Sequence, residues 1–375
     1  MRILLAFACY CLAFTAGAQD YYLFVGTYTS GDSKGIYVYR FNNATGTAQW
    51  VSNTDSCSNP SFLSLAPNGQ YVYAVNETGG KQPGRVSAYR FDAQTGRLHF
   101  MNTQASGGDH PCFVTTDQTG KWVIAGNYTG GNLSALKVNP DGSLAPAAQI
   151  IQHEGSSANK QRQNKAHVHS TFFAPDFKQL LVPDLGMDKV MLYDFNPGNP
   201  QPLSTSKQAY VAAAPGSGPR HLVFHPNKQF VYVLEELSGT IKSYTYRNGK
   251  LEDLQVIATH PDDFKGQPGS ADIHISPDGK FLYASNRGEE NNLAIFTIDP
   301  GTGKLKANGY QAIPGKGPRN FIIDPSGKHL LVANQYTNNI VIYAVNTATG
   351  ALTEQSQIAV PNPVCLKLLP IQVSH

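Results

Sequence analysis

Residues 218–251 read GPRHLVFHPNKQFVYVLEELSGTIKSYTYRNGKL. An alternating apolar run (Leu222, Phe224) leads into a Pro-Asn-Lys turn, a second run (Phe230 to Leu234) into Ser-Gly, and a third (Ile241, Tyr244, Tyr246) into Asn-Gly before Leu251. This is the pattern of four short strands joined by tight turns. The unit recurs. Pro226 of the first turn aligns with Pro67, Gln118, Pro175, Pro277 and Pro325, and successive members of the set lie 51, 57, 51, 51 and 48 residues apart. A period near fifty with four strands per unit predicts a β-propeller.

Third strands begin near Ile36, Val86, Leu133, Val190, Ile241, Leu293 and Ile340, which predicts seven blades. Complete units start at Pro60, Pro111, His167, Gly218, Ser270 and Gly317, whereas the first unit, from Tyr22, lacks an inner strand. The tail from Asn362 to Pro370 matches Asn59 to Pro67 in spacing and is expected to supply that strand. The fold class is therefore all-β: seven four-stranded antiparallel blades, the ring closed by the C-terminal strand joining the N-terminal blade. Such closure hides strand edges that would otherwise template aggregation. One polar segment, His153 to Ala166, interrupts the rhythm, and long loops in compact folds are often functional.

Composition excludes other classes. Charged residues make up 15% of the chain and the net charge is +3, so neither disorder nor a nucleic-acid surface is expected. The opening MRILLAFACYCLAFTAGAQD has one basic residue, an apolar run from Ile3 to Phe14 and a small-residue site ending at Ala18. It reads as a secretory signal peptide, residues 1–18, whose apolar run is too short to span a bilayer. The mature part, 19–375, is expected to be one propeller domain, periplasmic or extracellular, with no membrane partner. Cys57, Cys112 and Cys365 then remain, without metal-ligand spacing or a disulfide framework.

Inner strands of a propeller line the axis, so equivalent positions converge in space. Six residues before each reference turn stand Ser61, Cys112, His169, Arg220, Ala271 and Arg319, with Val364 in the tail. Ten residues after it stand Glu77, Tyr128, Leu185, Glu236, Arg287 and Gln335, with Tyr28 in the first blade. A His, three Arg and a Glu at ring positions predict a polar channel mouth, since buried charge is costly unless paired or serving a ligand. Gly31 to Gly35 fits the G-x-S-x-G nucleophile pattern, but no helix follows to form the elbow. His167, His169, His221, His225 and His274 lack an acidic partner at ligand spacing, so neither a metal nor a cofactor is expected.

The segments His167-Val168-His169-Ser170, Val182 to Gly186, Gly218-Pro219-Arg220-His221, Asp272 to Gly279 and Ser285-Asn286-Arg287 resemble the lactonase family of seven-bladed propellers. That family includes the propeller type of 6-phosphogluconolactonase and the carboxymuconate-lactonizing cycloisomerase. The resemblance covers Tyr22 to Pro370 and implies site residues at His169, Arg220, Glu236 and Arg287, the set the ring positions select. The expected activity is hydrolysis of a sugar-type or aldonic lactone. Lactone-forming cycloisomerisation and a noncatalytic ligand- or protein-binding role are the alternatives. Arg220 and Arg287 are expected to hold the carbonyl oxygen or an anionic group, and Glu236 or His169 to act as base, with His169 favoured near neutral pH. Arg319, His167, Glu77, Tyr128 and Gln335 are expected to contact the substrate, a small lactone or anionic sugar acid. Export makes a phosphorylated substrate less expected than a plain one.

Overall fold

The computed structural model describes residues 19–55 and 57–372. The expected signal peptide, residues 1–18, lies outside the described residues. Among the described residues, twenty-eight strands form seven four-stranded antiparallel sheets arranged as blades of a ring. In six sheets the four strands are consecutive in sequence. In the seventh, Pro363–Pro370 pairs with Tyr21–Thr27, from Tyr21↔Pro370 to Thr27↔Pro363, and so becomes the inner strand that the first unit lacks.

Burial explains the patterning. Phe230–Glu235, Phe281–Asn286 and His329–Asn334 are buried along their whole length, because each blade is covered on both faces by its neighbours. Such strands read as continuous apolar runs. Outer strands meet solvent on one face, and Leu144–Gln152 accordingly alternates between half-buried and exposed after Leu144. The core lies between blades: Phe230, Tyr232 and Leu234 of one pack with Ile273, Leu282 and Ala284 of the next. Closure is packed the same way, with Leu23, Val25 and Leu366 against Leu331 and Ala333.

The turns do what their residues allow. Asn248 (φ 50°) and Gly249 (φ 74°) are both left-handed, as a two-residue hairpin turn requires, and Arg247↔Lys250 closes the ladder. In the turn between first and second strands the left-handed residue is Gly69, Gly120, Gly279 or Gly327 in four blades, Lys228 and Phe177 in two.

The inner strands carry the feature that shapes the axis. Their ladders slip between Pro111 and Phe113, between Pro219 and His221 and between Pro318 and Asn320, leaving Cys112, Arg220 and Arg319 as extra residues. The closing strand slips likewise at Val364, and the strand Ser270–Ile275 between Ser270 and Ile273. A bulge bends its strand and re-aims the unpaired side chain. Two inner strands are shorter than their sequence suggests, Leu63–Leu65 and Phe172–Phe173, and His169 sits in the irregular stretch between the Val168↔Asp184 bridge and Phe172. The three described cysteines are free and buried.

Candidate active site

A cavity of about 550 Å³ opens at one mouth of the axis. Two tiers of side chains build its wall. Bulges of the inner strands supply Cys112, Arg220 and Arg319, with His169 from the irregular stretch, while residues just past the second strands supply Tyr28, Glu77, Tyr128, Glu236 and Arg287. Below them the axis is filled: Phe62 stacks on Phe113 at 4.0 Å, and His221 packs against Phe113 at 5.6 Å and His169 at 5.4 Å. His221 is tied to Asp272 (2.8 Å), which also takes His274 (3.0 Å) and Asn320, so the floor is a hydrogen-bonded plug.

Glu236 is the hub. Its Oε2 accepts from Arg220 Nη1 at 2.6 Å and lies 3.2 Å from Arg287 Nη2, while its Oε1 accepts from Arg162 Nη2 at 2.8 Å. Backbone carbonyls fix the guanidiniums: Arg220 Nε donates to Ala271 O (2.6 Å) and Arg287 Nε to Gly269 O (2.9 Å). Arg220 Nη1 also reaches His169 Nε2 at 2.5 Å. Guanidinium nitrogens only donate, so Nε2 is the acceptor and the imidazole proton sits on Nδ1. Across the cavity Glu77 accepts from the Tyr28 hydroxyl (2.9 Å) and from Ser61, and Arg319 lies over the Tyr28 ring at 5.5 Å. Among the described residues no carboxylate pairs with Arg319.

Four guanidiniums thus face two carboxylates, an excess of positive charge suited to an anion. Burial would raise the pKa of Glu236, but the charges of Arg287, Arg220 and Arg162 outweigh it and hold the carboxyl well below its usual range. Burial and then Arg220 push His169 well below its ordinary value, against the pull of Glu236, so the ring is neutral. Arg287 is pulled down to about 10 by burial, raised by Glu236 and lowered again by Arg220 and Arg319. Cys112, buried beside His169, has its thiol pKa pushed up by burial, which keeps it protonated and a poor nucleophile.

Residues 22–368 match the model of the family described as "Lactonase, 7-bladed beta-propeller". The chain belongs to the seven-bladed lactonase family. A protein of Formosa agariphila named 6-phosphogluconolactonase is 41% identical over 347 residues, covering 91% of this chain and 97% of the relative. One of the same name from Bacillus subtilis is 33% identical over 92% of this chain and 97% of its own. Among solved structures, the periplasmic gluconolactonase of Pseudomonas aeruginosa superposes with a TM-score of 0.90 at 37% identity, covering 94% of this chain and 100% of that one.

Within this lactonase-family ring the structure brings His169, Arg220, Glu236 and Arg287 into one cluster, with Arg319, Glu77 and Tyr128 on the same cavity wall. Two expected substrate contacts lie off that wall. His167 stacks on Tyr128 from behind at 4.4 Å and its Nδ1 is bonded to the Tyr128 carbonyl at 2.9 Å, so its imidazole buttresses the wall. Gln335 gives way to its neighbour Tyr336, which lines the mouth instead. At His169, the expected base, the Nε2 lone pair accepts from Arg220, and burial together with Arg220 depresses the basicity of the ring. Sequence reasoning missed Arg162, together with Gln267, Pro268, Gly269 and Gly288. Blade four has apolar Leu185 at its ring position, and the interrupting segment crosses above it to deliver Arg162 instead. The signal available was that segment itself, whose sequence places three cations in NKQRQNK.

Proposed function

We propose that the protein is an exported lactonase that hydrolyses a sugar-type or aldonic lactone at this mouth. The observation that carries the reading is Glu236 held between Arg220 and Arg287 on the wall of a cavity the size of one small ligand. Its lactonase relatives and the apolar run before Ala18 agree with the activity and with export respectively.

The lactone carbonyl oxygen points at Arg287 and Arg220, whose charges stabilise the oxyanion as water adds to the carbonyl carbon. Glu236 orients that water and takes its proton. Collapse of the tetrahedral species breaks the ring C–O bond, and the departing alkoxide receives the proton from Glu236. The product acid ionises and releases one proton to solution. A carboxylate this acidic is a weak base, so charge stabilisation by the arginines supplies most of the rate. His169, neutral and bonded to Arg220, positions that guanidinium. Proton release followed against a panel of neutral and anionic lactones tests the proposal, and no turnover above buffer with any of them contradicts it.

A further inference from the structure

Arg162 differs from the other arginines of the site in how it is held. Its side chain is 43% exposed, against 3% for Arg220 and 18% for Arg287. Its Nη2 is shared between Glu236 Oε1 at 2.8 Å and the Tyr128 hydroxyl at 3.1 Å. The base of the arm is rigid. Gln163, fully buried, donates to Asp188 Oδ1 (2.8 Å) and to Leu185 O (2.9 Å), and Ser157 donates to Asp188 Oδ2 (2.5 Å). Asp188 also receives the amides of Gly216 (2.7 Å) and Gly218 (2.6 Å), two residues before Arg220, so the arm and the buried arginine share one anchor. The segment passes so close to Gly186 that a Cβ there would lie 1.9 Å from Lys165 O. Lys160 and Lys165 stand exposed on the same segment, whose one acidic residue is Glu154 at its far end.

An ion pair with one half-exposed partner is cheap to exchange, whereas uncovering a buried pair is not. An incoming anion can therefore draw Arg162 from Glu236 while Arg220 and Arg287 still compensate the carboxylate. We infer that Arg162 is a specificity-determining residue that receives an anionic group of the substrate remote from the lactone carbonyl, a phosphate monoester or a carboxylate, and by leaving Glu236 Oε1 frees that oxygen for the attacking water. Anionic lactones are then favoured twice, in binding and in release of the base. The inference rests on the hydrolase reading for its second half and on binding alone for its first.

Arg162→Gln tests both halves, with Arg162→Lys as the charge-retaining control and melting temperature as the folding control. In calorimetric titration the wild type binds 6-phosphogluconate and glucarate more tightly than gluconate. Arg162→Gln narrows that gap about ten- to hundredfold, the worth of one charge-assisted contact, and Arg162→Lys restores part of it. Glucarate, a dicarboxylate, and 6-phosphogluconate, a carboxylate with a phosphate monoester, distinguish carboxylate from phosphate as the preferred group. In turnover, Arg162→Gln raises KM for glucono-1,5-lactone 6-phosphate much more than for glucono-1,5-lactone. The acid limb of kcat/KM for the neutral lactone moves to higher pH, because Glu236 loses one of its cations and then faces Arg220, Arg287, the more distant Arg319, neutral His169 and the Tyr128 hydroxyl. Equal wild-type affinity for gluconate, glucarate and 6-phosphogluconate, or a variant that weakens all three alike, overturns the inference. An Arg162-dependent binding gap without turnover of any lactone upholds Arg162 as an anion receptor and refutes the hydrolase reading.

Discussion

Deleting residues 362–375 removes the strand Pro363–Pro370, the inner strand of the first blade. Three of its side chains, Val364, Cys365 and Leu366, are at most 2% exposed. Burying a Val or Leu is worth about 1.5–3 kcal/mol, so these three account for roughly 4–8 kcal/mol. Phe24, on the adjacent strand of the same blade, and Leu331 of the last blade lose part of their cover as well. Backbone groups of Tyr21–Thr27 turn to water on deletion, so they add little to the loss and leave a seven-residue edge open to pairing with other chains. Domain stabilities are about 5–15 kcal/mol, so the expected loss is most of the total. Thermal melts by circular dichroism should show a fall of more than about 10 °C, or no cooperative transition, together with aggregation. A truncated chain that melts within about 2 °C of the intact one refutes the closure argument.

Two further outcomes follow from the electrostatics and one from packing. Glu236 is held well below its usual range by the arginines and His169 well below its ordinary value by burial and Arg220, so kcat/KM should show no limb near pH 6.5, and a limb there would mark a histidine base. His221, pushed down to about 4 by burial against the pull of Asp272, must stay neutral in the fold while the unfolded chain takes up a proton below about pH 6.5. The His221 contribution to stability should therefore be fully present above that pH and be lost at up to about 1.4 kcal/mol per unit as the pH drops towards 4, and His221→Asn should reduce the slope by that amount in denaturant titrations. Gly186→Ala should push the interrupting segment off blade four and lower the affinity for 6-phosphogluconate about tenfold, with calorimetry as the check.

The repeat was legible because each blade repeats the same turn chemistry, and the ring positions were legible because a bulge recurs at the same place in successive inner strands. Counting back from Pro226 and Pro325 therefore lands on Arg220 and Arg319, the residues that the bulges turn inward. The count failed where chain geometry departs from the repeat. Arg162 belongs to no strand and reaches the site through an insertion anchored by Gln163 and Asp188, contacts with no sequence period. His167 and His169 are two residues apart and looked alike, but hydrogen bonding directs one to Tyr128 and the other to Arg220. The contact that occupies the acceptor nitrogen of His169 was not legible, because its partner Arg220 is brought there only by tertiary structure. Gln335 was chosen by position, while the longer Tyr336 beside it reaches the mouth.

The central claim is that Glu236, set among the arginines, directs water onto a lactone carbonyl. The most direct measurement is proton release from the best lactone by Glu236→Gln beside wild type, well below both melting temperatures. The account predicts a loss of about 10²-fold or more in kcat, since the amide can neither take the proton nor balance Arg220 and Arg287. Equal rates in a folded variant would contradict it.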